Sequence, residues 1–327
     1  MMPELMLSPA QTLFERAANL RILVVGDLMI DEWIWGGVTR VSPEAPVPVV
    51  AVTDHSFTLG GAGNVANNLR ALRAQVLFGG AVGDDGFAAQ VRDLLRGESV
   101  DDSGIFMTRD RPTTRKTRIV AHNQQVVRAD WESTAPLTAE DRHRLASFVA
   151  QRAPGCDAVI LSDYAKGLLC REIVEAAQAC PLVLADPKPQ NIGIYAGVTC
   201  VAPNVAEASA MTGIVISDDS ALETAGMQLL QLLRCRYAVI TRGEHGMALF
   251  GSAGERLTIP SVARTVYDVS GAGDTVTAVL ALGLAGRVPI EQTMQLANFA
   301  AGVVVEKLGT ATASPEEILA LLDPAIE

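Results

Sequence analysis

One short segment of the chain places a carboxylate behind three small residues where a helix is expected to begin. It reads Asp268-Val-Ser-Gly271-Ala272-Gly273-Asp274, and the apolar spacing that follows predicts a buried helix over 273–285. The first N–H groups of a helix lack internal partners, so those of residues 272–274 can stabilise a phosphoryl group. A carboxylate in the same turn can accept the proton of a hydroxyl. The segment therefore indicates phosphoryl transfer to a hydroxyl, although Asp274 capping its own helix is the simpler structural alternative.

A second glycine-rich segment reads Gly60-Gly61-Ala-Gly63-Asn64-Val-Ala66. Its small residues would let a helix start approach a sugar, and Asn64 offers a donor and an acceptor to hydroxyls. The competing interpretation is a dinucleotide-binding fingerprint, with Asp84 near the expected distance downstream. That fingerprint needs a strand directly before it, whereas the polar residues 53–58 predict a connection, and residues 84–86 read better as a helix start. The sugar-binding interpretation is therefore favoured.

The elements that would position these segments alternate regularly along most of the chain. Residues 21–27 form an apolar run ending in Gly-Asp, as in a buried strand that opens into a loop. The other predicted strands are 158–162, 182–186, 198–202 and 237–241, followed by an antiparallel pair at 247–250 and 256–259. The predicted helices are 13–20, 138–153, one ending at 179, one beginning at 207, 220–233, 273–285, 290–307 and 315–322. This pattern predicts an α/β fold with a doubly wound, mostly parallel sheet and helices on both faces.

Two stretches, at about 32–58 and 112–131, depart from this alternation and predict a second, smaller sheet. Prolines at 43, 46 and 48 are incompatible with a central strand and suit edge strands. Further short strands are expected at 116–121 and 125–130, joined by a hairpin turn at 122–124. We expect these stretches to form a β-rich lid, contributed by about 32–58 and 112–131, on a single domain spanning 1–327.

Composition narrows the possible partners. The 327 residues carry a formal net charge of -11, which would repel a nucleic-acid backbone. Their 49% hydrophobic content with 5% aromatic residues suits buried parallel strands between close-packed helices. The five cysteines are widely spaced and never form a C-x-x-C pair, so neither a disulfide framework nor a zinc site is indicated. With no secretory leader and no apolar run long enough to insert into a membrane, we expect a cytoplasmic protein.

The two glycine-rich segments resemble the two signatures of the ribokinase-like (PfkB) carbohydrate kinases, and the likeness extends over 22–319. This resemblance implies an ATP-dependent enzyme in which Asp274 is the base that activates a sugar hydroxyl. Gly271, Ala272 and Gly273 would stabilise the transferring phosphoryl group. The resemblance also assigns sugar binding to four earlier residues and to Asp274 itself. The earlier four are Asp31, Gly60, Gly61 and Asn64.

Later positions follow the family's order on the nucleotide side. Asn204 and Glu207 resemble its Asn-x-x-Glu motif, which implies a hydrated Mg²⁺ beside the ATP phosphates, held by these two side chains through water. Without the resemblance they would be read as a helix-capping pair. The remaining residues expected to bind ATP are Thr241, Gly243, Gly246, Gly271, Gly273 and Asn298.

Several segments further resemble the heptose-phosphate kinase subfamily. They are Trp33-Ile-Trp35-Gly, Arg40-Val-Ser42-Pro-Glu-Ala-Pro46-Val-Pro48, 123–130, Ser162-Asp-Tyr-Ala-Lys166-Gly and Asp186-Pro-Lys188. The resemblance implies phosphorylation of the anomeric O1 of D-glycero-β-D-manno-heptose 7-phosphate, a step toward ADP-heptose and lipopolysaccharide core. It also implies a stand-alone kinase, because the His-x-Gly-His motif of a fused adenylyltransferase is missing, and a homodimer formed through the lids.

A substrate that already carries a phosphate needs cations near its far end. The chain supplies Lys116, Arg128 and Lys188, together with Arg118 and Lys166, in segments expected around the acceptor. A family member acting on ribose, fructose or a nucleoside would leave this cluster unexplained. A non-catalytic sugar sensor would have no use for the base in the Gly271–Asp274 turn.

Overall fold

The computed structural model describes residues 2–122, 124–263 and 265–322. The strands are β1 (Arg21–Gly26), β2 (Leu28–Val41), β3 (Pro48–Gly61), β4 (Gln75–Gly83), β5 (Asp101–Thr108), β6 (Thr114–Ala121), β7 (Gln124–Trp131), β8 (Ala158–Ser162), β9 (Val183–Asp186), β10 (Cys200–Val201), β11 (Tyr237–Thr241), β12 (Met247–Gly251) and β13 (Arg256–Ile259). The helices are α1 (Met2–Arg16), α2 (Ala62–Ala71), α3 (Phe87–Gly97), α4 (Ala139–Arg152), α5 (Arg171–Ala177), α6 (Val205–Thr212), α7 (Asp219–Leu233), α8 (Ala272–Ala285), α9 (Ile290–Val305) and α10 (Pro315–Leu322). None of the described helices is long and apolar enough to cross a bilayer.

Nine strands form the main sheet, in the order β13-β12-β11-β10-β9-β8-β1-β4-β5. The strands from β11 to β5 run parallel, and β12 and β13 add an antiparallel edge. Strand β1 is apolar on both faces because successive side chains enter two different cores. Ile22 and Val24 pack with α2, α8 and α9 on one face, and Leu23 and Val25 pack with α4, α5 and α7 on the other. The predicted doubly wound α/β fold is confirmed.

The remaining four strands form a second sheet, in the order β3-β2-β6-β7, which we call the small sheet. Strands β2 and β3 form a long antiparallel pair, and β6 joins β2 in parallel. The expectation that 53–58 form a connection was wrong, because these residues continue β3 up to Gly61. Their polar side chains suit a strand that is largely exposed, and exposure rather than irregular structure explains the lack of apolar residues. Within the predicted hairpin turn, Asn123 lies outside the described residues.

The carboxyl ends of the parallel strands converge on the loops that carry the candidate site residues. Strand β1 leads into Asp27, β8 into Tyr164, and β9 into Lys188. Strand β10 is shorter than the predicted 198–202, and it is followed by Asn204, which bridges to Thr241 at the end of β11. This edge of a doubly wound sheet is where ligands generally bind.

Candidate active site

The first turn of α8 directs Asp274 into the site. Helix α8 begins after Gly271, whose φ of +81° lies in the left-handed region that favours glycine. A Cβ at this position would also lie 2.6 Å from Asn64 Nδ2, so the close approach of α2 requires a glycine. Thr275 strengthens the contact between the helices by donating its hydroxyl to Asn68 Oδ1 at 2.7 Å. The two glycine-rich segments are thus brought together at the starts of two packed helices.

Both oxygens of the Asp274 carboxylate accept hydrogen bonds. Asn64 Nδ2 donates to Oδ2 at 2.8 Å, and the Tyr164 hydroxyl donates to Oδ1 at 2.5 Å. Burial raises the pKa of Asp274 to about 6, while these two hydrogen bonds and the charge of Lys188 oppose the rise. A carboxylate with a pKa close to neutrality is well suited to accept and release a proton. Because its partners come from other elements, this carboxylate is not an ordinary helix cap.

A second buried carboxylate, Asp31, lies on the small sheet. It is 5% exposed, and Arg118 of the neighbouring strand β6 forms an ion pair with it. Lys116 occupies the position beside Asp31 in the β2–β6 register. Gly60 packs against the same carboxylate, since a Cβ there would lie 2.2 Å from Asp31 Oδ2. Gly61 follows with a φ of +57° and begins α2. The small sheet therefore presents a carboxylate and two cations beside a glycine surface.

Gly60→Ala is expected to raise the KM for the acceptor roughly tenfold, equivalent to about 1.4 kcal/mol, because the new methyl group must displace the Asp31 carboxylate. Steady-state kinetics with each substrate varied in turn would measure this, and the KM for ATP should stay near the wild-type value. Gly86→Ala is the matched control, since a Cβ there meets no atom within 4 Å. An unchanged acceptor KM in Gly60→Ala would remove Asp31 from the acceptor site.

The three basic residues predicted to bind a substrate phosphate differ in whether they already form an ion pair. Lys188 forms an ion pair with Glu207, so its charge is engaged by one of the predicted metal-binding residues. Arg128 pairs with Asp130 at 2.9 Å on the edge strand β7, and its side chain is 49% exposed. Lys116 has no ion-pair partner among the residues that the structure describes. Of the three, Lys116 is the cation whose charge is left uncompensated.

A cavity of about 130 Å³ brings Asp274 together with the predicted phosphate and metal residues. Its lining residues are Tyr164, Asp186, Lys188, Ala202, Asn204, Glu207, Thr241, Gly271, Gly273 and Asp274. Asn204 and Glu207 form a capping box at the start of α6, with Glu207 N donating to Asn204 Oδ1 at 2.9 Å. The capping alternative is therefore correct as local structure. Both residues nevertheless line the cavity as well as cap the helix.

Asp186 is a cavity residue that the sequence analysis did not assign to the site. Burial raises its pKa to about 8, and the nearby charges of Glu207 and Asp274 add to the rise, whereas Lys188 opposes it. The carboxylates of Asp186, Glu207 and Asp274 outnumber the single ammonium group of Lys188, which favours a bound cation. Carboxylate oxygens are the ligands that Mg²⁺ prefers. No group of three metal-binding side chains in the described part of the chain could hold a metal ion alone. A metal ion at these carboxylates would need further ligands, such as water and the oxygens of a phosphate.

An apolar cleft of about 420 Å³ adjoins this cavity and shares Thr241 and Gly273 with it. Its lining residues are Thr241, Gly243, Glu244, Gly246, Met247, Ser261, Ala263, Val266, Val269, Ala272, Gly273, Val276, Asn298, Ala301, Gly302 and Val305. Gly246 has a φ of +80°, and a Cβ there would lie 2.0 Å from Ile259 O. Asn298 donates to Pro260 O at 2.7 Å and so ties α9 to the segment after β13. Five of the residues predicted to bind ATP line this cleft, which is of suitable size for a purine base, and they are Thr241, Gly243, Gly246, Gly273 and Asn298. Gly271, Asn204 and Glu207 line the adjoining cavity instead.

Gly302→Leu is expected to raise the KM for ATP roughly tenfold or more while changing kcat less, because the side chain would occupy the apolar cleft. Gly302 lies within α9, where leucine is compatible with the backbone. The measurement is initial rate against ATP concentration at saturating acceptor. A normal KM for ATP, in a variant whose thermal unfolding resembles that of the wild type, would contradict the assignment of this cleft to the base.

The loop after β8 carries Tyr164, a residue of the cavity that the sequence singled out only as part of a segment resembling the heptose-phosphate kinases. Asp27 accepts hydrogen bonds from the backbone N–H groups of Tyr164 at 2.8 Å and Lys166 at 3.1 Å. Asp163 accepts from Lys188 N at 3.2 Å, which joins this loop to the one after β9. The carboxylates of Asp27 and Asp163 therefore hold in place the loop whose Tyr164 hydroxyl contacts Asp274. The only signal in the sequence was the motif Ser162-Asp-Tyr-Ala-Lys166-Gly, because the partners are far apart along the chain.

Comparison with known proteins identifies the family. A family model described as "pfkB family carbohydrate kinase" matches residues 19–317. The chain is 45% identical over 315 residues to the bifunctional protein HldE of Trichlorobacter lovleyi, covering 95% of this chain and 64% of that protein. It is 46% identical over 302 residues to the bifunctional protein HldE of Wolinella succinogenes, covering 91% and 63%. The chain thus spans slightly less than two thirds of the length of these relatives.

Solved structures show the same fold at low sequence identity. Arabidopsis thaliana ribokinase complexed with ribose and ATP aligns with a TM-score of 0.73 and 18% identity, covering 93% of this chain and 98% of that one. Phosphofructokinase-2 from Escherichia coli in complex with substrates and products aligns with a TM-score of 0.77 and 16% identity, with the same coverage. The large sheet with its helices and the additional small sheet are therefore a ribokinase-like fold.

Proposed function

Because the chain belongs to the pfkB family of carbohydrate kinases, we propose that it transfers the γ-phosphoryl group of ATP to the anomeric O1 of D-glycero-β-D-manno-heptose 7-phosphate. The product would be the 1,7-bisphosphate that leads to ADP-heptose and lipopolysaccharide core. We choose a phosphorylated acceptor because Lys116, which lies beside Asp31, forms no ion pair with any described residue. An acceptor with hydroxyls and a phosphate matches a carboxylate next to a free cation.

The charges around Lys116 support an anionic acceptor. Burial lowers the pKa of Lys116, and repulsion from Lys166 and Arg118 lowers it further, whereas Asp31 and Asp130 oppose this change. Those two carboxylates already pair with arginines, Asp31 with Arg118 and Asp130 with Arg128. A phosphate would supply the missing negative charge, whereas a neutral sugar would leave the partly buried ammonium unpaired.

The proposed reaction uses the geometry around Asp274. Asp31 accepts hydrogen bonds from acceptor hydroxyls, and Asp274 accepts the proton of O1. The O1 lone pair forms the bond to the γ-phosphorus while the bond to the β,γ-bridging oxygen breaks, and ADP leaves. The N–H groups of Gly273 and Asp274, in the first turn of α8, stabilise the charge on the transferring group, whereas the N–H of Ala272 donates to Val269 O at 3.3 Å. Mg²⁺, held through water by Asn204 and Glu207 with Asp186 nearby, would neutralise the phosphate charge of ATP.

ADP release in the presence of Mg-ATP and a panel of acceptors tests this function. The panel holds D-glycero-β-D-manno-heptose 7-phosphate, sedoheptulose 7-phosphate, fructose 6-phosphate, ribose and fructose. We expect turnover to be confined to the heptose phosphate. Efficient turnover of ribose or fructose would keep the sugar kinase and overturn the heptose assignment, and ATP hydrolysis unaffected by any sugar would contradict both.

We also propose that two copies pair through the small sheet, which would then act as a lid over the acceptor. Three of its large apolar side chains are well exposed, with Trp35 at 37%, Val52 at 60% and Trp131 at 44%. Large apolar side chains that remain exposed on a sheet favour contact with another molecule. Sedimentation at several protein concentrations should reveal a dimer. A monomer at every concentration would contradict the pairing.

A further inference from the structure

We propose that Tyr164 is a positioning residue for Asp274, whose hydroxyl fixes the rotation of the carboxylate and keeps it ionised beside the acceptor hydroxyl. The inference rests on the proposed role of Asp274 as the base. Three contacts carry it. The Tyr164 hydroxyl donates to Asp274 Oδ1 at 2.5 Å, and the Tyr164 backbone N–H donates to Asp27 Oδ2 at 2.8 Å. Asn64 donates to the other oxygen of Asp274 at 2.8 Å.

Two donors are needed to hold a carboxylate in one orientation. A single hydrogen bond from Asn64 to Oδ2 would leave the group free to turn about its Cβ–Cγ bond, a torsion with a broad energy profile. The second bond, from Tyr164 to Oδ1, fixes the plane of the carboxylate. Each oxygen retains a further lone pair, so the acceptor hydroxyl can still donate to the base. The orientation of that lone pair is then set before the acceptor binds.

Tyr164 itself is not suited to be the base. Its pKa is raised well above the ordinary value, first by burial and then by the negative charge of Asp274. The phenol therefore stays protonated and acts only as a donor. Lys116 Nζ and Lys188 Nζ lie 6.0 Å and 5.4 Å from the centre of its ring, so the tyrosine also lies beside the two lysines of the site.

The charge of Asp274 depends on groups from several elements. The titratable and charged groups facing it are Tyr164 after β8, Asp186 at the end of β9, Lys188 after β9, and Asp31 on β2, with the neutral Asn64 on α2. Among the groups that act on Asp274, hydrogen bonding by Tyr164 is the largest influence favouring the ionised form. Removing that one hydroxyl should therefore raise the pKa of Asp274.

Tyr164→Phe is the first test, made with whichever acceptor the enzyme turns over. The acidic limb of the pH profile of kcat should move up by about one pH unit, so that the rate at pH 6 falls about fivefold relative to the wild type and recovers toward pH 8 to 9. Tyr237→Phe is the matched control, because it removes a buried tyrosine hydroxyl at the start of β11, whereas the site lies at the carboxyl ends of the parallel strands. Its acidic limb should stay in place. An unmoved limb in Tyr164→Phe would overturn the inference.

A second test needs no turnover and therefore separates this inference from the proposed function. Melting temperatures of the wild type, Tyr164→Phe, Asp274→Asn and the double variant are compared between pH 5 and 8. A hydroxyl binds an ionised carboxylate more strongly than a neutral one, so the loss caused by Tyr164→Phe should grow as pH rises through about 6. In the Asp274→Asn background the loss should not vary with pH. The same pH dependence in both backgrounds would contradict the inference, even if no sugar were phosphorylated.

Discussion

Asp274→Asn is expected to lower kcat by roughly 10²- to 10⁴-fold, the usual cost of removing a general base, with little change in the binding of ATP or acceptor. The substitution preserves the shape of the side chain. Its amide oxygen can accept from Asn64, and its NH₂ can donate to the Tyr164 hydroxyl oxygen, so both local contacts can persist. Single-turnover kinetics and ATP binding by calorimetry would measure the two effects separately.

The stability of the same variant distinguishes loss of a base from loss of structure. The pKa of Asp274 is raised from 3.8 to about 6 in the folded state, so its ionisation destabilises the fold as pH rises through that window. Above pH 6 this rise in the pKa of Asp274 destabilises the folded state by about 3 kcal/mol, and asparagine avoids the loss. Asp274→Asn should therefore melt higher than the wild type at pH 8, and this advantage should disappear toward pH 4. Turnover within tenfold of wild type would rule out Asp274 as the base.

Lys116→Met is expected to lower kcat/KM for a phosphorylated acceptor by roughly 10- to 100-fold, the range expected for a hydrogen bond to a charged group. Methionine keeps most of the length of the side chain and removes its charge together with its hydrogen-bond donors. The effect should appear mainly in the KM for the acceptor, while the KM for ATP stays close to the wild-type value. Initial rates with each substrate varied in turn would measure both.

The matched control for the lysine variant is Arg109→Met. Arg109 precedes Lys116 by seven residues, but its side chain is 90% exposed and pairs with Asp84 at 3.4 Å. Its loss changes the net charge by the same amount, and acceptor kinetics should remain near wild type. If both variants weaken acceptor binding equally, general electrostatic attraction would replace a specific contact by Lys116.

Local patterns predicted the main sheet well because its strands are buried on both faces. The strand predictions at 158–162 and 237–241 coincide with β8 and β11, and the antiparallel pair after them is present as β12 and β13. The small sheet was harder to predict because its exposed strands carry polar residues. Residues 53–58 belong to β3, so the absence of a preceding strand was not a sound argument against a dinucleotide site. The glycine segment instead follows a strand of the small sheet, not a strand of the parallel sheet.

The candidate site was predictable where its residues share one segment. The small residues before Asp274 predict a helix start that can bind phosphate. The hydrogen bonds to this carboxylate come from Asn64 and Tyr164, which are 210 and 110 residues away along the chain. Likewise, the ion pair between Lys188 and Glu207 depends on neighbouring strand ends. Pairings of this kind arise from topology, so residue types and spacing alone did not assign a partner to each cation.

The central claim is that this chain phosphorylates a heptose 7-phosphate at its anomeric oxygen, and the identity of the product tests it most directly. Purified enzyme, Mg-ATP and D-glycero-β-D-manno-heptose 7-phosphate would be incubated, and the product examined by ³¹P and ¹H NMR. We predict one new phosphate signal coupled to the anomeric proton, with the original 7-phosphate intact. A new phosphate coupled to any other proton, or no bisphosphate at all, would contradict the account.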